Sequence, residues 1–282
     1  MKKILILTDF SDNAWNSVVY AINLYRDIPC EFSIFHAYDL HAIRLAATVS
    51  SQQIGYAYES INSESEKGLE MILEDIENTK ITPLHTFKTI LKRGNLLNNL
   101  KHILSIEKYD LIVMGMKGMT SAATIFIGSN TQRVLKKISS CPILVIPEDA
   151  YFQTISNIAF ATDFKRIYYK SEIKPILDLA KITDPTIRMI HVYDEPKLSG
   201  KQQYNSNTLE KHFKNVTYDF HVIPEFSTIE KGILAFIEEL EIDLLAMINY
   251  KHSFIERLTR EPVIKKMVFH TEIPLLIIPA DS

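Results

Sequence analysis

Cysteine is scarce in this chain: Cys30 and Cys141 are the two present in 282 residues, far apart and in neither a Cys-x-x-Cys pair nor a metal-ligand spacing. That excludes a disulfide framework and points to free thiols in a reducing compartment. Also missing is any apolar run near the ~20 residues a membrane-spanning helix needs. The opening Lys2-Lys3-Ile4-Leu5-Ile6-Leu7 begins like a leader peptide, but its apolar run stops at Thr8-Asp9. It reads as a first strand, and a cytoplasmic location is expected. An excess of one charge is lacking too: 31 basic side chains face 34 acidic ones, a net −3. This balance argues against the broad electrostatic footprint of nucleic-acid binding.

Familiar catalytic patterns are absent as well. The nine histidines include no His-Glu-x-x-His pair, and no Gly-x-Ser-x-Gly elbow or Walker-type Gly-x-x-x-x-Gly-Lys-Ser/Thr loop occurs. Neither a catalytic residue nor a metal site is assigned from the sequence.

What is present is a repeat. Leu7-Thr8-Asp9-Phe10 returns as Ala161-Thr162-Asp163-Phe164, and His36-Ala37-Tyr38-Asp39 as His191-Val192-Tyr193-Asp194. Asp110 to Met114 returns as Asp243 to Met247, and Cys141-Pro142-Ile143-Leu144-Val145-Ile146-Pro147 as Ile273-Pro274-Leu275-Leu276-Ile277-Ile278-Pro279. The order is kept, so the chain reads as a tandem duplication with copies at 1–148 and 152–282, each of about 140 residues, a size that buries its own core. Short apolar runs alternate with helical patterns, which predicts βαβ units and a parallel sheet in each copy. In the first copy the strands are expected near Ile4–Leu7, Glu31–His36, Thr86–Leu91, Leu111–Met114 and Ile143–Ile146. Val18, Ala21, Ile22 and Tyr25 form the apolar stripe of the first helix. A capping box at Ser63-x-x-Glu66 is expected to open the second, burying Leu69, Ile72, Leu73 and Ile76. Leu40 to Ile61 reads as a long loop or partly helical flap. In the second copy, an N-cap at Ser171 places Pro175 in the first helical turn, where its missing N–H is tolerated.

The most telling motif is Gly115-x-x-Gly118, nine further residues, then Gly128-Ser129, set between the strand Leu111–Met114 and a helix. Glycines let backbone approach an anion closely, and a helix N-terminus offers unpaired N–H groups and the positive dipole end. With Leu7-Thr8-Asp9-Phe10-Ser11 and Cys141 to Pro147, this stretch resembles a universal stress protein domain of the nucleotide-binding branch, and the likeness runs twice through the chain. The resemblance implies two α/β domains, each a five-stranded, doubly wound parallel sheet of the Rossmann-like, adenine nucleotide alpha hydrolase-like kind. It implies a site in which Thr8, Asp9 and Ala37 meet the nucleoside, and Gly115, Gly118, Gly128, Ser129 and Asn130 hold the phosphates of ATP, with or without magnesium. It also implies that Ile143–Ile146 pairs antiparallel with Leu275–Ile278 in an intrachain pseudo-dimer, and it leaves open a homodimer and an unnamed protein partner.

Each residue also has a plainer reading: Gly115 and Gly118 as turn glycines, Ser129 as an N-cap, Asp9 as a cap for the following helix. The recurrence of Thr-Asp-Phe in the second copy argues that Asp9 has a structural share in its role. The second copy supplies a control, because alignment from Asp243 puts Ile248 and Lys251 at the two glycine positions and Glu261-Pro262 at Gly128-Ser129. Each charge-assisted phosphate bond is worth ~1.5–3 kcal/mol and a micromolar site only ~8 kcal/mol in total, so this loss leaves no nucleotide site there. The basic residues Lys251, His252, Arg257, Arg260, Lys265 and Lys266 are interleaved with Glu256 and Glu261 and read as a solvated face. The expected function is a stress-response protein that binds ATP in its first domain and uses the second as interface and scaffold, with at most slow ATP hydrolysis. The alternatives are an adenylate-using enzyme on the same fold and a ligand-free scaffold.

Overall fold

The computed structural model describes residues 1–39, 51–79, 84–117, 128–193, 198–224, 229–249 and 272–280. The first half runs β1 (Lys2–Leu7), α1 (Asp12–Leu24), β2 (Cys30–Tyr38), α2 (Ser51–Asn78), β3 (His85–Arg93), α3 (Leu96–Ile106), β4 (Leu111–Gly115), α4 (Ser129–Lys137) and β5 (Ile143–Ile146). The second half runs β6 (Asn157–Ala161), α5 (Lys170–Thr183), β7 (Thr186–Tyr193), α6 (Gly200–Glu210), a 3-10 turn (Lys211–Phe213), β8 (Tyr218–Pro224), α7 (Ile229–Glu239), β9 (Leu244–Asn249) and β10 (Leu275–Pro279). All ten strands join one sheet in the order β3-β2-β1-β4-β5-β10-β9-β6-β7-β8. Each half is a parallel, doubly wound five-stranded unit, as expected from the alternation of apolar runs and helical stripes.

The halves meet at β5 and β10, the antiparallel pair in an otherwise parallel sheet. Leu275 pairs with Val145, Leu276 with Leu144 and Ile277 with Ile143. Leu144 and Leu276 are repeat counterparts, so a pseudo-twofold axis passes between them. All seven apolar residues of this seam from Ile143 to Ile146 and Leu275 to Ile277 are buried. Each such side chain contributes roughly 1.5–3 kcal/mol on removal from water, and pairing also covers what would otherwise be two bare apolar edges. The two hydrophobic layers on either face of the sheet both draw residues from each half: Ile4, Val18, Phe160 and Ile173 in one, Leu5, Ile112, Ala159 and Leu275 in the other. Polar links cross the seam as well, with the Lys2 ammonium 2.6 Å from the Asp178 carboxylate on α5 and the Asn249 amide donating to the Leu135 carbonyl at 3.2 Å.

Local chemistry sets the element ends. Ser11 caps α1 by accepting from the Ala14 N–H at 3.2 Å, while Asp9 accepts from both the Ser11 N–H and its hydroxyl. Val18, Ala21, Ile22 and Tyr25 are all buried, as the stripe predicts.

Two expectations are corrected. Helix α2 does not open at Ser63; it is already helical at Ser51, so Ser63 and Glu66 lie exposed in its interior. Once nucleated, a helix gains one hydrogen bond per added residue. Packing also holds this early part: Arg93 stacks 3.4 Å over the Tyr58 ring, and the Tyr38 hydroxyl donates to Asn62 at 2.7 Å. Residues 51–61 of the expected flap are therefore helix, and 40–50 lie outside the described residues. Helix α5 begins at Lys170 after Tyr169, not after Ser171, which puts Pro175 beyond the first turn. Glu172 fixes that earlier start by accepting from the Tyr169 N–H at 2.8 Å while pairing with Arg166.

The two cysteines are free, buried thiols; burial pushes Cys30 up to about 11 and Cys141 up to about 12. At the opposite sheet end from the strand C-termini, Glu107 accepts from Lys3 at 2.5 Å and Lys88 at 3.2 Å. The Lys3 bond, followed by those from Lys88 and Tyr109, holds the Glu107 carboxyl down at about 2 from an ordinary 4.5. Because the folded state binds that proton less readily than the unfolded chain, the cluster stabilises fully above pH 4.5 and loses its contribution as pH falls toward 2. Denaturant melts at stepped pH should show this acid-limb slope, and Glu107→Gln should flatten it while costing stability at pH 7.

Candidate functional site

In a doubly wound sheet, the crevice outside the strand C-termini at the point of order reversal is the natural ligand site. Here that point lies between β1 and β4, which pair directly through Ile4–Leu111 and Ile6–Val113. A cleft of about 530 Å³, counted to its open mouth, sits there. Of the expected residues, Thr8, Asp9, Gly115, Gly128, Ser129 and Asn130 line it. Ala37 does not: it is half-buried at the end of β2, paired with Lys92. Gly118 and the loop Met119 to Ile127 lie outside the described residues.

The β1 side is a rigid turn. The Thr8 hydroxyl accepts from the Phe10 N–H at 3.1 Å, and Phe10 sits at φ 64, the left-handed region that L-residues seldom occupy. His36 fastens the turn by donating from Nδ1 to the Thr8 carbonyl at 2.8 Å, with its ring 4.4 Å from that of Phe10. Burial lowers the His36 pKa, which favours the neutral ring. The second half repeats the turn: Phe164 lies at φ 52, Thr162 accepts from its N–H at 3.2 Å, and His191 donates to the Thr162 carbonyl at 2.9 Å. Thr-Asp-Phe therefore recurs because it builds this turn, and the two strand-end histidines are hydrogen-bonding residues.

The β4 side depends on Asn13, which sequence reasoning missed. Its carboxamide is buried in the first turn of α1, donating to the Ile146 carbonyl at 3.2 Å and accepting from the Lys117 N–H at 2.9 Å. A Cβ built on Gly115 would lie 2.6 Å from Asn13 Oδ1 and 2.9 Å from its Cγ. Gly115 is thus required by a neighbouring side chain of the protein itself. The available signal was an Asn just inside a helix, where its type is disfavoured.

Beyond this clamp, the Gly128 N–H donates to the Met116 carbonyl at 2.8 Å and closes the base of the intervening loop. Gly128 is the N-cap of α4 and offers no side-chain cap; the Thr131 hydroxyl turns instead to the Gly115 carbonyl at 3.0 Å. The first turn of α4 thus has no side-chain cap from Gly128, and Ser129 and Asn130 line the cleft together with Lys117. This donor set suits an anion. Among the described lining residues Asp9 is the sole carboxylate, and no group of three or more metal-ligating side chains occurs among the described residues.

The second half differs at the decisive place. In the first half Gly115 pairs with Ile146; in the second, Ile248 pairs with Ile278, the counterpart of Ile146. Strand register thus puts a buried isoleucine where Gly115 stands. Helix α5 starts later than α1 relative to the shared turn, and no counterpart of the Asn13 clamp occurs there among the described residues. Instead Gln202 and Asn205 on α6 donate to the Asp163 and Phe164 carbonyls at 2.9 and 2.8 Å. The remaining expected differences, at Lys251, Glu261 and Pro262 and in the basic stretch from His252 to Lys266, lie outside the described residues.

Two fused Rossmann-like units joined through their last strands, with an anion-suited crevice at one switch point, define a tandem α/β protein of the doubly wound type. The sequence profile of the universal stress protein family matches residues 1–147, and the chain belongs to that family. A universal stress protein of Synechocystis sp. is 27% identical over 298 residues, spanning 98% of this chain and 99% of its own length. One from Methanocaldococcus jannaschii is 30% identical over 146 residues, 51% of this chain and 81% of that protein. The crystal structure of a universal stress protein from Archaeoglobus fulgidus superposes with a TM-score of 0.72 over 98% of this chain and 97% of its own, at 18% identity, a likeness of fold.

Gly115→Ala should cost about 1–3 kcal/mol, the usual penalty of overpacking. Asn13→Ala should cost ~1–3 kcal/mol by stranding its partners. In a double-mutant cycle read by chemical denaturation, the pair should cost clearly less than the sum, because removing the carboxamide makes room for the new methyl.

Proposed function

We propose that the first half of this protein, residues 1–148, binds ATP in the cleft between β1 and β4, and that the second, residues 152–282, has lost its own site and serves as interface and scaffold. The observation that carries the reading is the convergence of Thr8, Asp9, Gly115, Gly128, Ser129 and Asn130 on one crevice whose helix N-terminus has no side-chain cap. In this reading the nucleoside lies toward Thr8, Asp9 and Ala37, and the phosphates toward Gly115, Gly118, Gly128, Ser129 and Asn130. The residues fit the group: the backbone N–H donors of a helix N-terminus at α4 supply the positive potential a polyphosphate requires. Magnesium, if it accompanies ATP, takes its ligands chiefly from the phosphates, since Asp9 is already engaged with Ser11. The same scarcity of carboxylates disfavours an adenylate-using enzyme. The function is then nucleotide-dependent signalling to a protein partner in the cytoplasm, with hydrolysis at most slow. Buried free thiols support that location, and no helix among the described residues is long and apolar enough to cross a membrane.

A thermal-shift titration tests the reading. At one hundred times its dissociation constant a ligand that binds only the folded state adds about 2.7 kcal/mol, so millimolar ATP with magnesium should raise the melting temperature by several degrees. Gly128→Glu, which sets a carboxylate among the proposed phosphate donors, should abolish the shift while leaving the ligand-free melt within a few degrees. No stabilisation of the parent protein at millimolar ATP would leave only the scaffold role.

A further inference from the structure

Lys117 is the sole cation among the described residues that line the cleft. Its main chain is fixed from two directions: the N–H donates to Asn13 Oδ1 at 2.9 Å, and the adjoining Met116 N–H donates to the Ile146 carbonyl at 2.8 Å. Only the side chain is free to swing. Its ammonium is engaged by the carboxylate of Glu148, which follows β5 after Pro147 at the start of the connector to the second half. The connector backbone is itself held, with the Asn16 amide donating to the Ala150 carbonyl at 2.9 Å. Glu148 therefore presents its carboxylate from a fixed base beside the cleft, and its side chain is 47% exposed.

We propose that Lys117 is a phosphate-binding residue kept in reserve by Glu148, and that exchange of this carboxylate for phosphate sets how strongly the cleft prefers a triphosphate over adenosine. The proposal rests on the nucleotide reading given above and adds to it a residue and a competitor. An exposed carboxylate–ammonium pair is weak because water and salt screen it. A polyphosphate offers the same ammonium several charges and shorter, charge-assisted bonds from a partly enclosed crevice. The exchange therefore runs toward phosphate, and it releases Glu148 at the joint between the halves. The second half has no such pair: strand register sets Ala280 at the place of Glu148, and sequence counting sets Tyr250 at that of Lys117.

The test is calorimetric titration of the full chain with ATP, ADP, AMP and adenosine, for the parent protein, Lys117→Met, Lys117→Arg, Glu148→Gln and the Lys117→Met/Glu148→Gln double variant. Lys117→Met should weaken ATP by about tenfold or more, the usual worth of a charged hydrogen bond, with a smaller loss for each phosphate removed and none for adenosine. Lys117→Arg should recover most of the ATP affinity. Glu148→Gln should tighten ATP by up to about fivefold at low salt, and that gain should vanish in the double variant. Equal weakening of ATP and adenosine by Lys117→Met would assign the lysine a structural role and overturn the proposal. Unchanged ATP affinity in Lys117→Met would overturn it while leaving the nucleotide reading intact. A Glu148→Gln gain that is absent, or that persists without Lys117, would overturn the reserve; this arm decides the matter if Lys117→Met does not fold. Failure of the parent protein to bind any of the four would overturn the nucleotide reading and this proposal together.

Discussion

One buried carboxamide organises the cleft. Asn13 ties Lys117, two residues past β4, to the last carbonyl of β5, and it occupies the space where any side chain at position 115 would have to go. A buried amide that leaves its partners unmet costs ~1–3 kcal/mol, so α1, the exit of β4 and the end of β5 are held as a unit. The direction in which the chain leaves β4 follows from this unit, and so does the place where α4 begins and opens its uncapped N–H groups. Because β5 is also the strand that pairs with β10, the strand whose last carbonyl anchors Asn13 also carries the seam between the halves.

The seam explains why a half without a glycine cradle is retained. Five parallel strands leave an apolar last strand bare, and two such units satisfy each other when equivalent strands pair about Leu144 and Leu276. The second half keeps what that pairing needs, an apolar β10 and β9, and keeps the left-handed turn at Phe164 with its Thr162 and His191 bonds. It does not keep what a crevice needs, since Ile248 fills the place of Gly115. The turn and the last strands thus recur in both halves, whereas the Gly115 position at the switch point does not.

Much of this architecture was legible from the residues. Strand positions follow from short apolar runs and the loss at Ile248 from simple counting, whereas the seam between Ile143–Ile146 and Leu275–Ile278 follows from the family resemblance. What escaped has physical reasons. The partners of Asn13 are distant in sequence, and no local pattern announces a carboxamide that replaces a missing Cβ. Ser63 and Glu66 satisfy a local capping rule, but Arg93 and Tyr38 hold the preceding turns in helix. Ser171 satisfies the same local rule upstream of Pro175, whereas a buried Glu172 starts the helix earlier. Lys117 stands between the two glycines, and its partner Glu148 comes near only once β4 and β5 are paired.

The central claim is that an anion-binding crevice exists at the β1–β4 switch point and nowhere equivalent in the second half. A crystal structure grown with ATP and magnesium tests it most directly. The account predicts one nucleotide per chain, with phosphate oxygens within hydrogen-bond distance of the backbone N–H groups of Ser129 and Asn130. Phosphates bound beside Ile248, or a nucleotide whose phosphates lie away from α4, would contradict it.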